Sequence, residues 1–170
     1  MINIFSVPFY QYEVNQWDIH KRDLLDLFQS RELHLEDSVY TDFGADGYSY
    51  LLECILSKEL DTFKEESGFD CRIEHSWFQK YEPGNFHSIH NHGMHGYSAI
   101  CFVEYDEDTH KPPTFVCPFH DAVSGNVIEY SPLNIREGSL VVFPSYLSHY
   151  VLPTKGDSSR IILSFNLRSI

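Results

Sequence analysis

The sequence predicts a mostly β domain with helices confined to its N-terminal third, and three observations carry that prediction. Before Phe69 the apolar residues recur at helical spacing. After it they alternate along short runs broken by turn-rich spans such as Glu82-Pro83-Gly84, Lys111-Pro112-Pro113 and Thr154-Lys155-Gly156-Asp157. A chain of 170 residues, 42% hydrophobic and 15% aromatic, is long and apolar enough for one real core and too short for two comfortable ones. No repeat, low-complexity tract or linker divides it. A single domain over 1–170 is expected, with 1–69 as helical support and 70–170 as the β core.

Ile2 to Val7 alternates apolar and polar for most of its length and predicts a strand limited by Pro8. Asp18 is a candidate N-cap for a helix through Leu24, Leu25, Leu27 and Phe28. Ser30 to Gly47 is polar and glycine-containing, and predicts a loop. Leu51, Leu52, Ile55, Leu56, Leu60 and Phe63 form one helical stripe, which Gly68 stops. Strands are then predicted at Arg72 to Tyr81, Ser98 to Tyr105, Thr114 to Cys117, Asn126 to Tyr130, Ser139 to Phe143 and Arg160 to Leu167. Two helices followed by many short strands imply helices backing one face of a β-sandwich or barrel-like sheet.

Lysine and arginine number 12 against 25 acidic residues, a formal net charge of −13. That field repels phosphate backbones, so nucleic acid and anionic membrane are not expected as partners. Cys54, Cys71, Cys101 and Cys117 form no C-x-x-C pair and read as reduced core residues. No secretory signal or membrane-length apolar run is seen, so a cytoplasmic protein is expected.

Ten histidines stand out, four of them at His87, His90, His92 and His95. In an extended chain His90 and His92 point to the same face roughly 7 Å apart, a spacing that lets two imidazoles bind one metal ion. His87 and His95 have the other parity. Imidazole nitrogen suits iron, copper, zinc or nickel. A solvated histidine cluster is the plainer alternative. His149 is the third candidate ligand, just past the turn that Pro144 imposes on an apolar strand. Arg160 opens another apolar strand and needs a partner; its planar fork matches a carboxylate, of a ligand or of a rim acidic residue.

The run Tyr81-x-x-Gly84-x-x-His87-x-x-His90-x-His92 resembles the Y-x-x-G-x-x-Y-x-x-H-x-D signature of prolyl-hydroxylase-like oxygenases dependent on iron(II) and 2-oxoglutarate. Phe143-Pro144-Ser145-Tyr146-Leu147-Ser148-His149, with Arg160 and the later Ser164-Phe165-Asn166, resembles small oxygenases of that superfamily from marine cyanophages and bacteria. The likeness is strong from Asp70 to Ile170. It implies a double-stranded β-helix (jelly-roll, cupin-like) core and a dioxygenase that hydroxylates its substrate with release of succinate and CO2. It further implies Fe(II) held by His90, His92 and His149, and 2-oxoglutarate anchored by Arg160. The substrate would be a small molecule, an amino acid or a peptide.

Two positions depart from the superfamily pattern. His92 stands where the aspartate ligand is usual, and Ile162 where many relatives carry a serine beside the cosubstrate. Tyr81 or Tyr97 is the expected replacement for that hydroxyl. Trp77, Tyr97, Phe115 and Phe119 are candidate pocket aromatics, with core packing as the alternative. Two other functions compete. A cupin that binds metal without 2-oxoglutarate is matched by Gly84, His90 and His92, then Gly138, Pro144 and His149, but it leaves Arg160 unexplained. A non-catalytic, phage-associated binding module of the same fold is the other.

Overall fold

The computed structural model describes residues 6–45, 47–153 and 156–170. Eleven strands and three helices are seen among them, arranged as a helical layer, a large sheet and a small sheet. The large sheet has the order β1 (Tyr10–Glu13), β9 (Ser139–Pro144), β6 (Tyr97–Glu104), β11 (Arg160–Ser169), β4 (Cys71–Tyr81), β3 (Val39–Thr41) and β2 (His34–Glu36). The small one has the order β5 (His87–His90), β10 (His149–Val151), β7 (Thr114–His120) and β8 (Val127–Tyr130). Every pairing is antiparallel.

Alternation along the central strands creates two cores from one sheet. On β11, Ile161, Leu163, Phe165 and Leu167 join Phe78, Cys101 and Val142 under the helices. Ile162 instead faces the small sheet with Tyr81, Ile100, Phe102, Phe143 and Phe115. Helices α1 (Trp17–Gln29), α2 (Ser49–Ile55) and α3 (Ser57–Ser67) lay Leu24, Leu52, Leu60 and Phe63 on the first face. The second face is left to the small sheet.

Several expectations need correction. The strand expected at Ile2 to Val7 lies mostly outside the described residues, and Ser6 and Val7 are not in a strand; the described N-terminal strand is Tyr10–Glu13. Asp18 is in the first turn of α1 and does not cap it; the cap position is Gln16, in the left-handed region at φ 51°. The polar loop at 30–47 contains the β2–β3 hairpin, turned at Asp37 with φ 51°. Its strands are three residues each, too short for alternation to register. The single helix expected from Leu51 to Phe63 is two helices meeting at Leu56, whose ψ of 15° breaks the helical path. Leu56 is fully buried, so the bend keeps one apolar stripe on the sheet through both segments. Gly68 ends α3 in the left-handed conformation that glycine adopts without strain.

Cys71 and Cys101 are buried, Cys117 is half-buried and Cys54 is exposed, the last unlike the core residue expected. Among the described residues no helix is long and apolar enough to cross a membrane.

Candidate metal centre

His149 opens β10 in the middle of the small sheet, opposite His90 on β5 and Phe115 on β7. Directly opposed residues share a face, so the His90 and His149 rings stand 4.4 Å apart between centroids. His92 lies two residues beyond the end of β5 and brings its ring to 5.2 Å from each of them. One ring nitrogen from each of the three falls within 4.8 Å of the others. Phe143 and Phe115 pack against His149, at 5.0 and 5.3 Å, and Trp77 flanks His92 at 5.5 Å.

Hydrogen bonds determine which nitrogen is free on two of these rings. His90 Nδ1 lies 2.8 Å from the Ser88 carbonyl oxygen, and His149 Nδ1 lies 3.1 Å from that of Leu147. A carbonyl only accepts, so each Nδ1 carries a proton, and in the neutral ring the lone pair is left on Nε2. Burial lowers the pKa of His92 to about 3, reinforced by the neighbouring His90 and His87 imidazoles. Burial likewise takes His149 well below its usual value. Both are therefore neutral at pH 7, the form that ligates metal.

His87 is the functional residue that parity missed. A register shift in β5 sets His149 opposite His90 but Val151 opposite His87, so β5 spends one extra residue between the pairs. Such a bulge turns a three-residue separation into same-face neighbours. His87 consequently stacks on His90, with centroids 4.1 Å apart. Its Nδ1 meets Gln79 Nε2 at 3.2 Å and the Tyr81 hydroxyl at 3.3 Å. Burial lowers its pKa to about 4. No spacing rule in the sequence announces a bulge here.

Arg160 is 1% exposed and lies opposite Tyr81 in the β11–β4 pairing, its guanidinium carbon 4.1 Å from the Tyr81 ring centroid. Nη1 donates to the Lys111 carbonyl, whereas Nε and Nη2 have no hydrogen-bond partner among the described residues. Two buried cationic donors left open are costly unless an anion completes them. A carboxylate does so with the bidentate geometry that guanidinium favours. Tyr81 is fully buried and its pKa is raised to about 12 by burial, so it stays a neutral phenol. Tyr97 does not join this group. It lies on the odd-numbered face of β6, packed on Tyr10, Phe63 and Phe69 beneath the helices, whereas site-facing Ile100 and Phe102 are even-numbered and so point the other way. Its expected contact with the cosubstrate is corrected accordingly. Trp77 and Phe115 adjoin the site, and Phe119 is exposed on the small sheet.

Two cavities meet at the histidines. The inner one, lined by Tyr81, His87, Ile162, Ser164 and the three rings, holds about 10 Å³, room for roughly one water. The outer one holds about 210 Å³ and is bounded by Glu36, Val39, Phe43, Trp77 and Asn91. Donor chemistry therefore fits a divalent metal beside a carboxylate. The His87 ring is one wall of the inner space.

The family model described as "Putative 2OG-Fe(II) oxygenase" matches residues 75–166. No curated protein matches the chain. Among solved structures, a prolyl-4-hydroxylase from Pseudomonas putida is similar with a TM-score of 0.66 at 16% identity, over 97% of this chain and 94% of that one. A viral collagen prolyl hydroxylase from Paramecium bursaria Chlorella virus-1, in complex with 2-oxoglutarate, is similar with a TM-score of 0.64 at 14% identity, over 95% and 96%. HygX from Streptomyces hygroscopicus, bound to nickel, 2-oxoglutarate and hygromycin B, gives 0.73 at 8% identity, over 96% and 84%. At these identities the likeness establishes the architecture, a double-stranded β-helix.

Proposed function

The chain belongs to the 2-oxoglutarate- and Fe(II)-dependent oxygenases, its family model spanning 75–166, and on that premise we propose that His90, His92 and His149 hold the iron while Arg160 and Tyr81 receive 2-oxoglutarate. The single observation that carries this assignment is three imidazole nitrogens within 4.8 Å of one another, together with a buried guanidinium that has two donors open among the described residues. The enzyme is a dioxygenase. Iron and 2-oxoglutarate held at this site would supply the oxygen-activating chemistry, with succinate, CO2 and a hydroxylated substrate as products.

The chain's own residues bind, orient and exclude. The Ser88 and Leu147 carbonyls hold His90 and His149 with Nε2 toward the centre. Arg160, its guanidinium over the Tyr81 ring, would donate hydrogen bonds from Nε and Nη2 to a carboxylate of 2-oxoglutarate. Ile162, Phe115 and Phe143 keep water from the buried side of the site. The His87 ring, held by Tyr81 and Gln79, would have to give up those bonds for the cosubstrate to reach Tyr81. A small-molecule or peptidyl substrate takes the outer cavity, against Trp77 and Phe43, whose rings meet edge to face at 5.2 Å. We further assign the chain to the small oxygenases of marine cyanophages and bacteria on the 143–149 segment, and to the cytoplasm on its unpaired cysteines. Nucleic acid and membrane are not partners, on the charge of −13.

Anaerobic titration of the iron(II)-loaded protein with 2-oxoglutarate tests the site assignment. A visible charge-transfer band is expected in the wild type and is expected to vanish in His149→Ala. An unchanged band in that variant defeats the ligand set, and no band in the wild type returns the cupin alternative.

A further inference from the structure

His90 and His149 are oriented through their rings; His92 is held by a different device. Its backbone N–H donates to the Ser145 carbonyl at 2.8 Å, and its own carbonyl accepts from Arg168 Nη2 at 3.3 Å. Arg168 Nη1 also reaches the Ser145 hydroxyl at 3.1 Å and the Leu167 and Tyr97 carbonyls at 3.2 and 3.5 Å. Its Nε pairs with Glu74 at 3.3 Å.

The hydroxyl protons form one directed chain. Ser98 donates to Asn166 Oδ1 at 2.8 Å, so at 2.9 Å it can only accept from Ser145, which in turn accepts from Arg168. Ser145 is 0% exposed and Ser98 1%, and a buried chain with every proton used is rigid. Gly96 lies directly on it with φ +75°; a Cβ there would stand 2.3 Å from the Leu167 carbonyl and 2.9 Å from Arg168 Nη1. Ser145 also begins the turn, closed by Leu147 N–H to the Pro144 carbonyl, that leads to His149.

We infer that Arg168 and Ser145 are positioning residues that fix the backbone of His92, so that an imidazole can complete a ligand set in which a shorter carboxylate is usual. An imidazole reaches further from its Cα than a carboxylate, so its backbone must be held back at a set distance. Arg168 and Ser145 are tied to that backbone from both sides. The inference rests on His92 being a ligand.

Cobalt(II) titration at low temperature, read by its ligand-field absorption, tests this on the intact protein with thermal denaturation of the metal-free form alongside. Arg168→Met is expected to bind cobalt 10- to 100-fold more weakly, the usual effect of losing a group that orients a ligand, with an altered spectrum. Arg168→Lys keeps the charge but cannot span Ser145 and His92 together, so it is expected to be equally weak. It serves also if the methionine variant does not fold. Glu74→Gln, which loosens only the outer end, is expected to bind as wild type. Wild-type affinity and spectrum in a folded Arg168→Met or Arg168→Lys overturn the inference. His92→Ala separates the two levels: cobalt binding unchanged there defeats His92 as a ligand, whereas binding lost there but kept in the Arg168 variants defeats only the positioning role.

Discussion

Replacing Arg160 with methionine separates what this residue does for the fold from what it does for the cosubstrate. In the protein alone, the substitution removes the bond to the Lys111 carbonyl and the contact with the Tyr81 face, a loss of about 2–5 kcal/mol together. It also removes a buried charge whose Nε and Nη2 have no hydrogen-bond partner among the described residues, each costing about 1–3 kcal/mol. The stability of the free variant is therefore expected to equal or exceed that of the wild type. Binding moves the other way. Two charge-assisted bonds to a carboxylate are lost, about 3–5 kcal/mol by the cost of breaking a buried pair, or roughly 150- to 5,000-fold in affinity. The assay is thermal denaturation of the zinc-loaded protein with and without 2-oxoglutarate. At 100 times its dissociation constant the ligand adds about 2.7 kcal/mol, or roughly 5–11 °C for a chain of this size. The wild type is expected to show that gain and Arg160→Met none. A gain of equal size in the variant would refute the role of Arg160, and a collapse of the free variant would refute the account of its open donors.

His87→Ala is expected to tighten 2-oxoglutarate binding about tenfold, because the two ring hydrogen bonds broken on entry are worth about 1–3 kcal/mol together; calorimetry showing weaker binding would make His87 a contact of the cosubstrate instead. In the metal-free protein His87 and His92 titrate near about 4 and about 3, against an unfolded value of about 6.5. The unfolded chain thus binds more protons below that pH. The contribution of these rings to stability is expected to be constant above pH 7 and to fall from about 6.5 toward 5, by at most about 1.4 kcal/mol per pH unit per ring, and a urea midpoint that stays flat from about pH 6.5 to 5 contradicts it. Gly96→Ala is expected to cost about 3–5 kcal/mol, since its Cβ meets a backbone carbonyl and its φ is positive; a denaturant midpoint within 1 kcal/mol of wild type, roughly, would show that the loop can retreat.

The chemistry of the site was more legible in the sequence than its surroundings. His90, His92 and His149 come together because two-residue alternation and a proline-bounded strand end are local facts. Arg160 was visible as a cation without an evident partner beside an apolar strand. His87 was not, because a bulge depends on how two strands pair, and β5 and β10 are four and three residues long. Tyr97 was misassigned because aromatic identity says nothing of which face of β6 it takes; counting from a site-facing residue such as Ile100 does. The β2–β3 hairpin looked like a loop because its turn uses Asp37 at positive φ without a glycine. The break at Leu56 is hidden by a stripe that continues through it.

Strand β11 carries two kinds of information on one backbone. Ile161, Leu163, Phe165 and Leu167 serve the helical core, while Arg160, Ile162, Ser164 and Asn166 face the cavity and its polar supports. Selection for abundance and selection for turnover therefore act on alternate letters of the same ten-residue word. A saturation library over this strand, sorted once for expression and once for activity, would give two maps of period two, out of phase by one residue. Substrate range could drift along one set of positions while the other holds the fold in place.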